Sequence, residues 1–146
     1  MALHTVAESL EASACYYTER TTKNAEFMLD FCCMGRETHE MLLAVESEWS
    51  TDAKKVIDDD FQKLVYIRSR YRMVIFRAEP KEVHQRAKAF LCEFQGHLVG
   101  DSYIFAWIDW EGKVSGWKIM VEPNNQIVGP ILIQRSVPDN QYHDVT

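Results

Sequence analysis

Three acids in the first third of the chain have the types and spacing to hold a cation. Glu46 and Glu48 lie two residues apart in MLLAVESEW (residues 41–49), a run that reads as a β-strand. Side chains two apart on a strand leave by the same face, so both carboxylates share the face of Leu42 and Ala44, while Val45, Ser47 and Trp49 take the other. Two carboxylates on an otherwise apolar face are costly to bury without a partner. Asp30 supplies a third acid, in AEFMLDFCCM (residues 25–34), a second strand pattern. The polar turn at residues 35–39 makes the two strands an antiparallel hairpin. A loop centred near Thr38 sets Asp30 directly opposite Glu46, with Cβ atoms roughly 5 Å apart. Like charges at that separation repel unless a cation lies between them, and a hard divalent ion with oxygen ligands, Mg²⁺ or Mn²⁺, suits the pair. Such an ion activates water and stabilises a phosphoryl transition state. The plainer alternative is an edge strand whose glutamates face water.

A second set of polar residues follows on a helix. Ser50, Thr51 and Asp52 are good N-caps, and residues 53–70 carry Ile57, Phe61, Leu64 and Arg68 along one stripe, with Val65 beside it. Gln62 and Tyr66 are four apart and share a helical face, Lys63 is adjacent, and Asp59 precedes Lys63 by four. Gln62 and Tyr66 could orient a phosphate or a water beside the acids. Taken singly they are an ordinary solvated face.

The remaining elements must position these groups. Residues 5–20 have helical spacing (Val6, Leu10, Ala14, Tyr17) and predict a helix. Residues 71–78 are a strand with a continuous apolar centre, as for one buried on both faces. Pro80 suits a helix first turn, and residues 81–95 repeat Val83, Ala87, Phe90, Leu91 and Phe94 at helical spacing. Residues 102–110 and 114–122 form a hairpin around Glu111-Gly112-Lys113. It is crowded with Tyr103, Phe105, Trp107, Trp110 and Trp117, read first as core and otherwise as a dimer surface or base-stacking platform. From about residue 123 the tail is partly irregular, with a possible edge strand at 127–133. The helical crossover between 41–49 and 71–78 makes those strands parallel, so the sheet is mixed and the class is α/β. Residues 1–146 read as a single domain.

Composition narrows the field. No apolar run approaches the ~18 residues needed to cross a bilayer, and the N-terminus has no basic-then-apolar signal pattern, so a cytoplasmic protein without a membrane partner is expected. Net charge is −6, which argues against a general nucleic-acid binder, yet residues 51–88 hold ten Lys or Arg and six acids and so are basic between acidic flanks. Cys15, Cys32, Cys33 and Cys92 contain no C-x-x-C and read as thiols, largely buried, in a reducing compartment. The five histidines show no H-x-x-x-H spacing and no Gly-rich phosphate loop or G-x-S-x-G occurs, so a zinc site, a P-loop and a serine hydrolase are not expected.

Together these residues resemble the PD-(D/E)XK, or restriction endonuclease-like, nuclease superfamily, as a divergent member. Leu29-Asp30 matches the first acid of that family, Glu46-Ser47-Glu48 its (D/E)-x-K motif, and Gln62-Lys63-Leu64-Val65-Tyr66 the Q-x-x-x-Y of its exonucleases. Glu8 or Glu11 would match the family's extra helical glutamate. The resemblance covers roughly residues 5–78. It implies a helix, a three-stranded meander, a helix and a strand, so a mixed sheet flanked by helices, here with an added C-terminal β-hairpin. It also implies Asp30 and Glu46 as ligands of Mg²⁺ or Mn²⁺, Asp30, Glu46, Glu48 and Lys63 as the catalytic set, and DNA as partner. The chain departs from the pattern at Glu48, where the family has lysine; Lys63 is the natural substitute, with Lys54 or Lys55 behind it. No proline precedes Asp30, and one meander strand is missing unless residues 21–24 supply it. The expected function is a divalent-metal-dependent nuclease-like protein acting on DNA phosphodiesters. The alternatives are a catalytically inactive binding or assembly module on the same fold, with a homodimer through the aromatic hairpin as one form, and an unrelated α/β fold binding a small ligand.

Overall fold

A computed structural model describes residues 12–16 and 29–133 of the chain. It is α/β, with one seven-stranded mixed sheet whose strands lie side by side in chain order. The strands are β1 (Ala12–Tyr16), β2 (Phe31–Gly35), β3 (Met41–Glu48), β4 (Tyr71–Phe76), β5 (Ser102–Ile108), β6 (Val114–Glu122) and β7 (Gln126–Ile133). β3, β4 and β5 are mutually parallel, and every other neighbouring pair is antiparallel.

The expected helix over residues 5–20 is corrected by β1, which pairs with β2 from Ala12↔Gly35 to Tyr16↔Phe31. Residues 5–11 and 17–20, with Glu8 and Glu11, lie outside the described residues. The helical spacing of Val6, Leu10, Ala14 and Tyr17 is real, but an open edge of β2 offers a full ladder of backbone partners, and tertiary pairing outweighs so weak a periodic signal. β1, β2 and β3 thus make a three-stranded antiparallel meander whose first strand is β1, and residues 21–24 lie outside the described residues. The tail also gains a strand. β7 pairs along β6, so the irregular stretch expected from about residue 123 is confined, among the described residues, to the short turn Pro123–Asn125. The hairpin of β5 and β6 is not an appendage either, since β5 pairs with β4 and continues the same sheet.

Both crossovers are helical. The first, α1, runs through Ala53–Lys55, Val56–Phe61 and Gln62–Tyr66, the middle segment with wider π-type hydrogen bonding. Asp52 caps it, its carboxylate accepting from the Lys54 amide at 2.8 Å. It stops at Ile67, whose backbone is extended. The second, α2 (Pro80–Glu93), starts on Pro80 and buries Val83, His84, Ala87 and Leu91, one stripe at i, i+1, i+4 and i+8. Two successive right-handed crossovers in one direction along a sheet put both helices on the same face. The core agrees: Val56, Phe61 and Leu64 of α1 and Val83 and Leu91 of α2 pack with Val74, Phe76, Tyr103, Phe105 and Ile119 from alternate strand positions. Tyr103 and Phe105, one face of the aromatic hairpin, are therefore core, at 5.6 and 5.2 Å from the Phe61 ring. On the opposite face Phe31, Cys33, Leu43 and Val45 form a smaller buried cluster. Cys32 and Cys33 are buried on opposite faces and Cys92 is exposed. No helix among the described residues is long and apolar enough to cross a membrane.

Candidate functional site

Glu46 sits on β3 facing α1. It is 3% exposed, although glutamate is rarely buried without a partner. The partner comes from the helix. Lys63 Nζ lies 3.6 Å from Glu46 Oε1 and donates a hydrogen bond to Asp60 Oδ1 at 2.9 Å. Lys63 and Asp60 are three apart on α1, which places them one above the other and over the strand. Glu46 Oε1 accepts no hydrogen bond. Burial lifts the Glu46 carboxyl from its usual 4.5 to about 7; the Lys63 charge opposes that rise, and the charges of Asp30 and Asp60 add to it. Burial likewise raises Asp60, against the hydrogen bond and charge of Lys63. Burial by itself would lower the Lys63 ammonium, but the hydrogen bond to Asp60 and the charges of Glu46 and Asp60 together raise it. One ammonium thus serves two buried carboxylates.

Asp30 lies in a bend just before β2, not within the strand. The ladder ends at Phe31↔Val45, so Asp30 stands one residue past it, at the level of Glu46. Asp30 is exposed, and its Oδ2 accepts from the Ser47 amide at 2.8 Å and the Ser47 hydroxyl at 2.6 Å. The carboxylate therefore takes the place that the next backbone carbonyl of β2 would have filled. Glu48 is half-buried, and its Oε1 accepts from the Ser50 amide at 2.7 Å, closing the turn that leads into α1. Gln62 is half-buried at the junction of the π-type and α segments. Tyr66 is 66% exposed, its ring edge-on to Phe90 and Phe94 of α2.

The structure therefore joins Lys63 to Glu46 and Asp60, leaves Asp30 at the start of β2 with its carboxylate on Ser47, sets Glu48 at the rim, and turns the Tyr66 ring toward α2. Sequence reasoning missed Asp60. Its signal was present: it falls with Val56, Ile57, Phe61 and Leu64 on the buried stripe of α1 and stands three before Lys63. The expected i, i+4 acid, Asp59, is exposed instead.

The donors are carboxylate oxygens, which suit a hard divalent cation. Among the described residues no group of three or more His, Cys, Asp or Glu side chains converges as a ligand set. Any ion here would draw on one or two carboxylates and complete its shell with water and substrate oxygens, as Mg²⁺ commonly does. Glu46 Oε1, which has the Lys63 ion pair but no hydrogen bond, is the atom best fitted to such an ion.

No family model matches the chain. No curated protein and no solved structure matches it either.

Proposed function

We propose that this is a divalent-metal-dependent, nuclease-like protein acting on DNA phosphodiesters, on a divergent restriction endonuclease-like core. The observation that carries the reading is Lys63. A lysine from the crossover helix reaches the strand acid Glu46 at 3.6 Å, supplying the ammonium for which the E-x-E strand motif has no residue. The order meander, helix, parallel strand supports it, with Asp30 leading β2 and Glu46 on β3. So does the lack of a hydrogen bond at the buried Glu46 Oε1. Asp30 and Glu46 would hold Mg²⁺ or Mn²⁺, which when bound supplies an activated water and charge stabilisation for phosphoryl transfer. Lys63 offsets negative charge developing on the phosphate. Glu46, with a carboxyl near 7, can hold or release a proton at its oxygens at neutral pH. Glu48 completes the acid set as a water-orienting group, and Gln62 and Tyr66 are assigned to phosphate orientation.

The test is cleavage of linear duplex and single-stranded DNA with Mg²⁺ or Mn²⁺, together with calorimetric titration of the ion. Wild type should cut only with the ion, and Asp30→Ala and Lys63→Met should stop cutting while staying folded. A folded wild-type protein that binds neither ion overturns the reading. That outcome would favour a non-catalytic binding or assembly module on the same fold, for which one observation speaks: Lys63 already neutralises the acids a cation would otherwise have to hold.

A further inference from the structure

The carboxyl ends of the three parallel strands carry a second constellation, on the face away from the helices. Trp49 follows β3, Arg77 follows β4 and Trp110 follows β5. Glu48 pairs with Phe76 and Phe76 with Trp107, so Trp49 and Arg77 stand at the same level one step past the ladder and Trp110 lies just beyond them. The Arg77 guanidinium carbon is 5.3 Å from the centre of the Trp49 ring and 5.3 Å from that of Trp110. Strand order places Arg77 between the two indoles, and cation–π attraction to both fixes its plane. The indoles are nonetheless 55% and 76% exposed.

Among the described residues Arg77 has no counter-ion, and its Nε is buried with no hydrogen-bond partner. The other half- or fully buried arginine on β4, Arg72, shows the usual solution, an ion pair with Asp101 at 3.0 Å. Pairing with a phosphate suits the Arg77 guanidinium, whose terminal nitrogens can engage it by two parallel hydrogen bonds. Exposed indoles on either side are stacking surfaces for bases. Trp49 is the residue after Glu48, so the constellation begins where the acid motif ends.

We propose that Trp49, Arg77 and Trp110 form a clamp for an unpaired nucleic-acid strand, Arg77 on a backbone phosphate and the indoles on the flanking bases. The choice of nucleic acid rests on the phosphodiester-directed reading of the acid–lysine site on the other face of the sheet. The clamp holds the strand at the carboxyl ends of the parallel strands and favours single strands, or the frayed end of a duplex, over an intact duplex.

Binding of a short fluorescein-labelled oligothymidylate, followed by anisotropy and tryptophan quenching in EDTA, tests this apart from metal and cleavage. Wild type should bind with quenching. Trp110→Ala and Arg77→Gln should each weaken binding by about fivefold or more, as expected for loss of one stacked base or one phosphate contact. Arg36→Gln, in the exposed turn before β3, should change it little. An abasic strand of the same length should bind more weakly than oligothymidylate. Unchanged affinity in Trp110→Ala, equal binding of the abasic strand, or equal quenching by an oligoglutamate peptide overturns the clamp. Trp110 is mostly exposed, so its variant stays informative even if Arg77→Gln is unstable. A protein that binds the strand but neither takes up Mg²⁺ nor cuts refutes the nuclease reading alone; one that cuts without quenching refutes the clamp alone.

Discussion

Glu46 carries the largest consequence of any one residue. Folded, its carboxyl keeps a proton up to about pH 7; unfolded, it releases it near 4.5. Between those values the folded state binds more protons, so stability falls as pH rises through the window and the cost is complete above it. The size of the displacement sets a ceiling of about 3 kcal/mol on that cost. Glu46→Gln keeps the shape and removes the charge. It should raise the melting temperature at about pH 8, with the gain fading toward about pH 5. Equal melting at both values would show that Lys63 fully compensates the buried charge. Lys63→Met should act the other way on the same group. The Lys63 charge is the chief influence holding Glu46 down. Its loss should move the Glu46 titration above 7, read by carbon NMR of the side-chain carboxyl, and destabilise the protein by about 1–3 kcal/mol at neutral pH. At this scale Asp30, Glu46 and Lys63 were legible in sequence because residue type and spacing mark them. Asp60 was not, because its role depends on which helix face the sheet buries.

At the scale of elements, β4 is held by an ion pair as well as by its ladder. Arg72, 5% exposed, donates from Nε to the Ile67 carbonyl at 2.9 Å and from Nη1 to Asp101 at 3.0 Å, and lies 5.2 Å from the Tyr103 ring centre. It thereby ties the end of α1, the start of β4 and the loop before β5. Asp101 in turn accepts from the Leu98 amide at 3.0 Å. Breaking such a pair from one side leaves a buried charge, so Arg72→Met should cost about 3–5 kcal/mol in denaturant unfolding. A loss under about 1 kcal/mol would show that solvent reaches Asp101 once the arginine is gone. The continuous apolar centre of β4 marked it as a strand, though the structure buries Val74 and Phe76 and only half-buries Met73 and Ile75, and the stripes of α1 and α2 made the helices readable. β1 was not, because five residues with weak helical spacing became a strand only by pairing with β2.

For the whole molecule, two parallel crossovers in one direction bring a helix face, a strand acid and the ends of three strands to one edge. Any ligand that binds there only in the folded state would add to global stability. An ion that binds only the folded site raises stability by about 2.7 kcal/mol at a hundred times its dissociation constant. Millimolar Mg²⁺ or Mn²⁺ should therefore raise the wild-type melting temperature, and the rise should vanish in Asp30→Ala, with Ca²⁺ as a comparison ion. A rise that survives in Asp30→Ala would place the ion elsewhere.

The sequence by itself determined the class and the parallel relation of β3 and β4, because hydrophobic period and the length of a crossover are local quantities; the register of β2 on β3 was set by a bulge between Cys33 and Met34 that no local pattern announces. Only the tertiary structure decided that Asp30 binds Ser47 and that Asp60 shares Lys63 with Glu46. It alone placed Trp49, Arg77 and Trp110 in one stack, because those contacts join residues whose separation along the chain is bridged by crossovers, and no local pattern records which side chains a crossover brings face to face.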